Sequence, residues 1–280
     1  MAIWGTSRFF EGKNIVLTGG SSGIGRALAV DLARQGANLL LIARRQSRLD
    51  EMIALLESNR HDSAPVWETR AVDVSDRREI QSVLRAHDEA RPVDVLINCA
   101  GIAWADYVDQ MPSDAFEQTI QINYLGTVWC SLAMIPSFKS RHRGLIANVS
   151  SLAGVLGFVG YSAYSPSKFA VVGFSEAIRN ELRPHNVGVS LLLPPDTDTP
   201  QLVAENLTRP VETRAIADRA RILEPDHVAR VFLKGIVAGQ FWIVPGWDAK
   251  LTDHFSRHSP GLTRSILDRL VASSRRQTEI

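Results

Sequence analysis

Cysteine is scarce: Cys99 and Cys130 are the only two among 280 residues. Both sit among apolar neighbours, which excludes a disulfide framework and leads us to expect inert buried thiols in a reducing compartment. An excess of charge of one sign is also missing. Lys and Arg total 31 against 30 Asp and Glu, a net charge of +1, and that balance argues against wholesale nucleic-acid binding. Long hydrophobic runs are absent too. The longest, such as LLLIA at 39–43, fall far short of the roughly 20 residues a bilayer-spanning helix requires. The opening stretch MAIWGTSRFFEGKNIVLTGG is broken by Gly5, Ser7 and Arg8 and lacks the apolar core of a signal peptide. A cytoplasmic protein is expected, not an integral membrane one. No internal repeat, low-complexity tract or Pro/Gly linker divides the chain, so we expect one domain over 1–280. His254 and His258 stand four apart with no acidic residue between them, the pattern of surface histidines and not of a metalloprotease helix. No metal is expected.

What is present is a rhythm. With 45% hydrophobic and 22% charged residues the composition is that of ordinary globular material. Short runs rich in Val, Ile and Leu recur at NIVLT (14–18), NLLLIA (38–43), VWETRAVDV (66–74), VDVLINCAG (93–101), GLIANVSS (144–151) and VGVSLLLPP (187–195). Helical patterns fill the gaps. Ile24, Leu28 and Leu32 mark the first helix, and Ile120, Leu132 and Ile135 a longer central one. Near-continuous apolar strands have no water-facing side, so strands alternating with helices mean a parallel sheet covered on both faces. The fold class is therefore α/β, a doubly wound Rossmann-type domain. A helix-rich segment at 196–223 interrupts the rhythm before FWIVP (241–245). We expect it to be a lid beside the carboxyl ends of the strands, where open α/β sheets place ligands.

The first strand runs into TGGSSGIG, Thr18 to Gly25, and then into a helix. Glycines 19, 23 and 25 allow a tight turn, and with Ser21, Ser22 and Ile24 they bring backbone N–H groups to a pyrophosphate at the positive end of that helix. A nucleotide site is expected. At the end of the second strand, where an NAD site carries a carboxylate for the ribose 2′-OH, the chain has Ala43 followed by Arg44 and Arg45. Two cations favour a 2′-phosphate, so the expected cofactor is NADP(H).

YSPSK, 164–168, sets a tyrosine four positions ahead of a lysine with a proline between them. Pro166 fits a helix only in its first turn, so a helix starts here and Tyr164 and Lys168 share a face. A nearby ammonium lowers the cost of forming phenolate, and on this ground we expect an acidified Tyr164. By itself such a pair is common.

Together with the glycine turn, Asp73-Val74, the Asn98, Ala100 and Gly101 of NCAG, Asn123 and Ser151, the chain resembles the short-chain dehydrogenase/reductase family over roughly 12–245. Cys99 stands where the family usually carries a second asparagine. The resemblance implies that Tyr164 is the general acid and that Lys168 stabilises its phenolate and holds the nicotinamide ribose. It further implies that Ser151 hydrogen-bonds the carbonyl oxygen and that Asn123 anchors a water that relays protons. Asp73 and Val74 would meet the adenine, Asn98, Ala100 and Gly101 would line the cofactor path, and Pro194, Thr197 and Thr199 would lie at the nicotinamide. Asn98, Asn123 and Asp73 also suit loop or cap positions, and Thr199-Pro200 suits a helix start.

PPDTDTP (194–200) and ENLTRPVETRAI (205–216) resemble the branch of the family that reduces a long-chain 2-amino-3-ketone in sphingolipid synthesis. That likeness implies a lipid ketone as substrate. Asp196 and Asp198 are candidates to orient its amine, or are solvated loop acids. In the tail, 247–280, the stretch GLTRSILDRLVASSRR (261–276) carries Leu262, Ile266, Leu270 and Val271 on one stripe, with arginines 264, 269, 275 and 276 elsewhere. Such a helix rests on anionic lipid, on its own domain or on a partner subunit. Relatives that associate through their central helices make a homo-oligomer an expectation. A reductase of another ketone, of steroid or 3-oxoacyl type, and a catalytically silent nucleotide sensor stay open as readings. The presence of Ser151, Tyr164 and Lys168 counts against the second.

Overall fold

The computed structural model of the protein describes residues 9–58, 65–218 and 220–278, the stretch 275–278 by its backbone alone. Residues 1–8, which carry the sequence argument against an export signal, lie outside the described residues, as do the side chains of Arg275 and Arg276. Seven strands form one parallel sheet: β1 (Asn14–Thr18), β2 (Asn38–Ala43), β3 (Trp67–Ala71), β4 (Val95–Asn98), β5 (Gly144–Val149), β6 (Val187–Leu192) and β7 (Trp242–Ile243). Their order is β3-β2-β1-β4-β5-β6-β7, with Ile15 in register between Leu39 and Val95.

Alternate side chains leave opposite faces of each strand, and in the inner strands both sets are largely apolar, whereas the edge strand β3, WETRA, carries polar residues and is nowhere fully buried. Ile15, Leu17, Leu39, Leu41, Val95 and Ile97 enter one core with α1 (Gly23–Arg34), α2 (Gln46–Ser58) and α9 (Pro225–Val237). Val16, Leu40, Ile42, Leu96 and Ile146 enter the other with α3 (Arg77–Ala90), α5 (Gly126–Arg141) and α6 (Tyr164–Leu182). Each such side chain removed from water stabilises the fold by roughly 1.5–3 kcal/mol, which is why the strands read as unbroken apolar runs. The expected doubly wound architecture is the one found. Its winding reverses between β1 and β4, the switch point at which a crevice opens at the carboxyl ends.

The central helix departs from expectation. It is interrupted: α4 (Ser113–Thr119) passes into a π-helical turn, Ile120–Leu125, before α5 begins. A π turn is wider than an α turn and rotates the residues beyond it about the helix axis, so Leu132 of the expected stripe ends 41% exposed while Cys130, Ala133, Met134 and Phe138 are buried.

The segment after β6 folds as α7 (Pro200–Thr208) and α8 (Val211–Ala217). Its base is tied: the Asp198 N–H donates to the Leu223 carbonyl at 2.9 Å and the Leu223 N–H to that of Asp196 at 3.0 Å. The tail is two helices, α10 (Trp247–His258) and α11 (Pro260–Thr278), and α11 packs on α8 and α10. Leu270 and Val271 of its stripe are half-buried there, whereas Leu262 and Ile266 stay exposed. Among the described residues no helix is long and apolar enough to cross a membrane.

Candidate active site

A cavity of about 700 Å³ opens at the carboxyl ends of the strands. The turns after β1 through β6 all contribute to its wall, as do α6 and the two lid helices. At the β1 end, Gly19 and Gly23 have φ of +72° and +50°, a region that glycine enters without strain. A Cβ on Gly25 would stand 2.1 Å from the Gly19 carbonyl oxygen, and one on Gly19 would stand 2.8 Å from the backbone of Ala100. The turn is closed tightly enough that glycine is required at both. Ser22 caps α1 with extended backbone and without a side-chain hydrogen bond, and the first turn carries no acid. The N–H groups at the positive end of α1 are thus left to an anion. Ser21, Ser22, Gly23, Ile24 and Gly25 line the cavity beside them.

Arg44 and Arg45 follow β2 at the cavity edge, exposed, with Ala43 in place of an acid. Asp73 and Val74 line the wall after β3, although the Asp73 carboxylate also accepts from the Ser75 N–H (2.9 Å) and hydroxyl (2.8 Å) in a local turn. Ala100 and Gly101 line the cavity after β4, held where the N–H groups of Cys99 and Ala100 both donate to Thr18 Oγ1 at 3.2 Å. Pro194, Thr197 and Thr199 line it after β6. The Thr199 methyl lies 3.0 Å from where a Gly23 Cβ would stand, while its hydroxyl caps α7 at Leu202 N. It is a cap and a wall residue at once.

Asn98 does not line the cofactor path. It is 2% exposed and points into the core, where its amide donates to Asn148 Oδ1 (2.9 Å) and Ser131 Oγ (3.2 Å), and Asn148 in turn donates to Ser175. The reason is its place as the last residue of β4, in register with Asn148 of β5: its amide nitrogen is satisfied within the core, while its Oδ1 is buried without a hydrogen-bond partner. Burial pushes the Cys99 and Cys130 thiols up to about 12; Cys130 is buried in the core as expected, whereas Cys99 is only partly buried and lines the cavity.

Helix α6 begins at Tyr164, with Pro166 in its first turn. The Lys168 ammonium lies 5.6 Å from the centroid of the Tyr164 ring and donates to the Val149 carbonyl at 3.1 Å. Asn123, on the π turn, clasps the backbone of Ile102 in both directions at 2.8 Å and donates to Ser167 Oγ at 3.0 Å. Ser167 is itself bonded to the Tyr164 carbonyl. A Cβ on Gly101 would lie 3.2 Å from Asn123 Oδ1 and 3.5 Å from Lys168 Nζ, so these groups crowd one corner. Ser151 caps a short 3₁₀ turn, its hydroxyl accepting from the Ala153 N–H at 3.1 Å, and lines the cavity beside Tyr164.

The expected acidification of Tyr164 is not found. Burial and then the negative charge of Glu205 push its phenol well above the ordinary range, against the pull of the polar side chains of Ser151 and Gln201. Lys168 sits over the ring and is itself held down to about 8 by burial. Desolvation outweighs a neighbouring cation here. The consequence is a phenol that keeps its proton at neutral pH.

Around Tyr164 lies a group the sequence reading missed. Tyr161, its ring centroid 5.5 Å from that of Tyr164, donates to Glu205 Oε2 at 2.5 Å and accepts from Arg209 Nη2. Arg209 also meets Glu205 at 3.3 Å and Asp196 at 2.8 and 3.4 Å, and Gln201 donates to Glu205 Oε1 at 3.0 Å. Gln201, Glu205 and Arg209 recur four apart, and that spacing after Thr199 is the signal that places them on one helical face. Of the two acids singled out for the substrate amine, Asp196 lines the cavity but is engaged by Arg209. Asp198 is exposed and forms no part of the cavity wall, because its N–H is tied into the base of the lid. Among the described residues no group of His, Cys, Asp and Glu is placed to hold a metal.

The glycine cradle, the open helix end and the paired arginines fit a dinucleotide, and the Ser151, Tyr164 and Lys168 corner fits proton transfer to a carbonyl beside it. The model of the short chain dehydrogenase family matches residues 13–209. The chain belongs to that family of oxidoreductases. Among curated relatives it is 41% identical over 232 residues to 3-ketodihydrosphingosine reductase of Mus musculus, covering 82% of this chain and 70% of that protein. It is 34% identical over 280 residues to 3-ketodihydrosphingosine reductase of Dictyostelium discoideum, covering 94% of this chain and 83% of that one. A solved short-chain dehydrogenase from Sphingobium yanoikuyae in complex with NADPH superposes with a TM-score of 0.76 at 26% identity, covering 90% of this chain and 95% of that chain.

Proposed function

We propose that this protein reduces the ketone of a long-chain 2-amino-3-ketone, 3-ketodihydrosphingosine, to the alcohol, with NADPH as reductant. The observation that carries the reaction is one cavity holding the glycine turn and Arg44 at one end and Ser151, Tyr164 and Lys168 at the other. The substrate rests on the likeness to the reductases of mouse and Dictyostelium.

When bound, the cofactor supplies a hydride to the carbonyl carbon. The protein's own residues handle the charge that develops on oxygen. Tyr164, with its proton held firmly by burial, is the donor to that oxygen, and Ser151 offers a second hydrogen bond to it. The Lys168 ammonium then faces the phenolate and lowers its energy. Asn123 keeps the corner in place through the Ile102 backbone and Ser167. Arg44 and Arg45 favour the 2′-phosphate and hence NADPH. The test is direct. Purified protein given the amino ketone converts it to the amino alcohol with NADPH and far more slowly with NADH. Turnover of a steroid or 3-oxoacyl thioester but not of the amino ketone would overturn the reading.

We also infer that the protein collects this lipid at a membrane surface. Val203 and Leu207 on α7, Trp247, Leu251 and Phe255 on α10, and Leu262 and Ile266 on α11 are large exposed apolar side chains on the lid and tail. Arg264 and Arg269 are also exposed on α11. Exposed apolar side chains with basic residues on the same helix suit anionic lipid.

A further inference from the structure

The charges around Tyr161 do not balance. Two carboxylates, Asp196 and Glu205, share one guanidinium, Arg209, whose side chain is 3% exposed. Arg209 gives two contacts to Asp196, at 2.8 and 3.4 Å, and one to Glu205, at 3.3 Å. Its Nε is buried and has no hydrogen-bond partner, so it adds nothing to Glu205. Glu205 Oε1 receives its hydrogen bond from the neutral amide of Gln201, at 3.0 Å. Arg209 is shared between the two acids, and the weaker share falls on Glu205, which is 8% exposed. A buried carboxylate that holds only part of a counter-charge is costly in a low-dielectric setting. A cationic ligand group would supply what is missing.

Position decides which cation. Glu205, Gln201 and Tyr164 all line the same cavity, and Gln201 donates a hydrogen bond to Glu205 at 3.0 Å. Beyond the effect of burial, the charge of Glu205 is felt by both Tyr164 and Lys168. The carboxylate thus sits one ring from the phenol that meets the ketone oxygen: Tyr161, which donates to Glu205 Oε2 at 2.5 Å, has its ring centroid 5.5 Å from that of Tyr164. An amine on the carbon next to that ketone lies within its reach. Asp196 is the weaker candidate: Arg209 holds both its oxygens, and its side chain is 31% exposed.

We propose that Glu205 is the specificity-determining residue of this pocket, the carboxylate that receives the ammonium beside the substrate ketone. Gln201 positions it and Tyr161 and Arg209 fix its other oxygen. The inference rests on the amino-ketone reading above.

The experiment compares kcat/KM for three NADPH-dependent reductions: the amino ketone, the same chain without its amine, and the same chain with the amine acetylated and so uncharged. The wild-type protein is expected to prefer the amino ketone over both others by about tenfold or more, the scale of a charge-assisted hydrogen bond. In Glu205→Gln, which keeps the shape, the ratio of amino ketone to deaminated ketone falls by about tenfold or more, chiefly through KM. A wild-type ratio near one, or a ratio in Glu205→Gln equal to that of wild type, overturns the inference while leaving the reductase reading intact. Should the variant not fold, the acetylated and deaminated substrates still decide through the wild-type protein. Failure of the wild type to reduce the amino ketone at all overturns the proposed function instead.

Discussion

At the scale of single residues, two proton-carrying groups in one buried corner are tuned in opposite senses. Burial raises the Tyr164 phenol and lowers the Lys168 ammonium to about 8. A base with a depressed pKa is charged below that value and neutral above it, so Lys168 faces the phenolate as a cation only up to about pH 8. The reduction rate should therefore be level below this pH and fall above it. In Lys168→Arg, whose guanidinium stays protonated throughout the range, that limb should vanish from whatever activity remains. A pH profile unchanged in the variant would assign the limb to another group. The Tyr164 and Lys168 pair was legible in the sequence, because Pro166 fixes where the helix starts. Its electrostatics were not, because desolvation depends on the surrounding walls and not on spacing. Glu205 escaped for the same reason. Its partner Tyr161 lies far away along the chain, and only the fold brings the two to 2.5 Å.

Whole elements tell a similar story. The strands were readable from their apolar runs, and the glycine turn from its position between β1 and α1. The π turn was not. Its residues, IQINYL, carry an ordinary helical pattern, and the change in pitch shows only in the backbone. The tail was legible in part: an amphipathic stripe at 262–271 promised either lipid or protein, and the fold packs one end of it on protein and leaves the other exposed. Leu270 and Val271 pack inward while Leu262, Ile266 and, on α10, Trp247 (72% exposed) remain in solvent. Since α11 lies against lid helix α8, lipid contact would sit next to the entrance to the cavity. Flotation with anionic vesicles should carry the wild-type protein upward. A variant with Leu207→Ser, Trp247→Ser and Ile266→Ser should float at least several-fold less, with an unchanged circular dichroism spectrum. Equal flotation of both would remove the lipid-facing role of this surface.

For the molecule as a whole, one sheet with its winding reversed between β1 and β4 gathers the residues that matter. Segments from each of the first six strand ends meet in a single cavity, so motifs scattered from Gly19 to Thr199 become neighbours. The lid closes the far side with polar groups of its own, from Gln201 to Arg209. This part of the wall was the least legible part of the sequence. The central claim is narrower: a buried phenol, beside an ammonium and a serine, gives its proton to a carbonyl oxygen. Its most direct test is Tyr164→Phe, measured for amino-ketone reduction and, in the same preparation, for NADPH binding by fluorescence. We predict a loss of kcat of about 10²–10⁴-fold with cofactor affinity retained. Turnover within a few-fold of wild type would contradict the account.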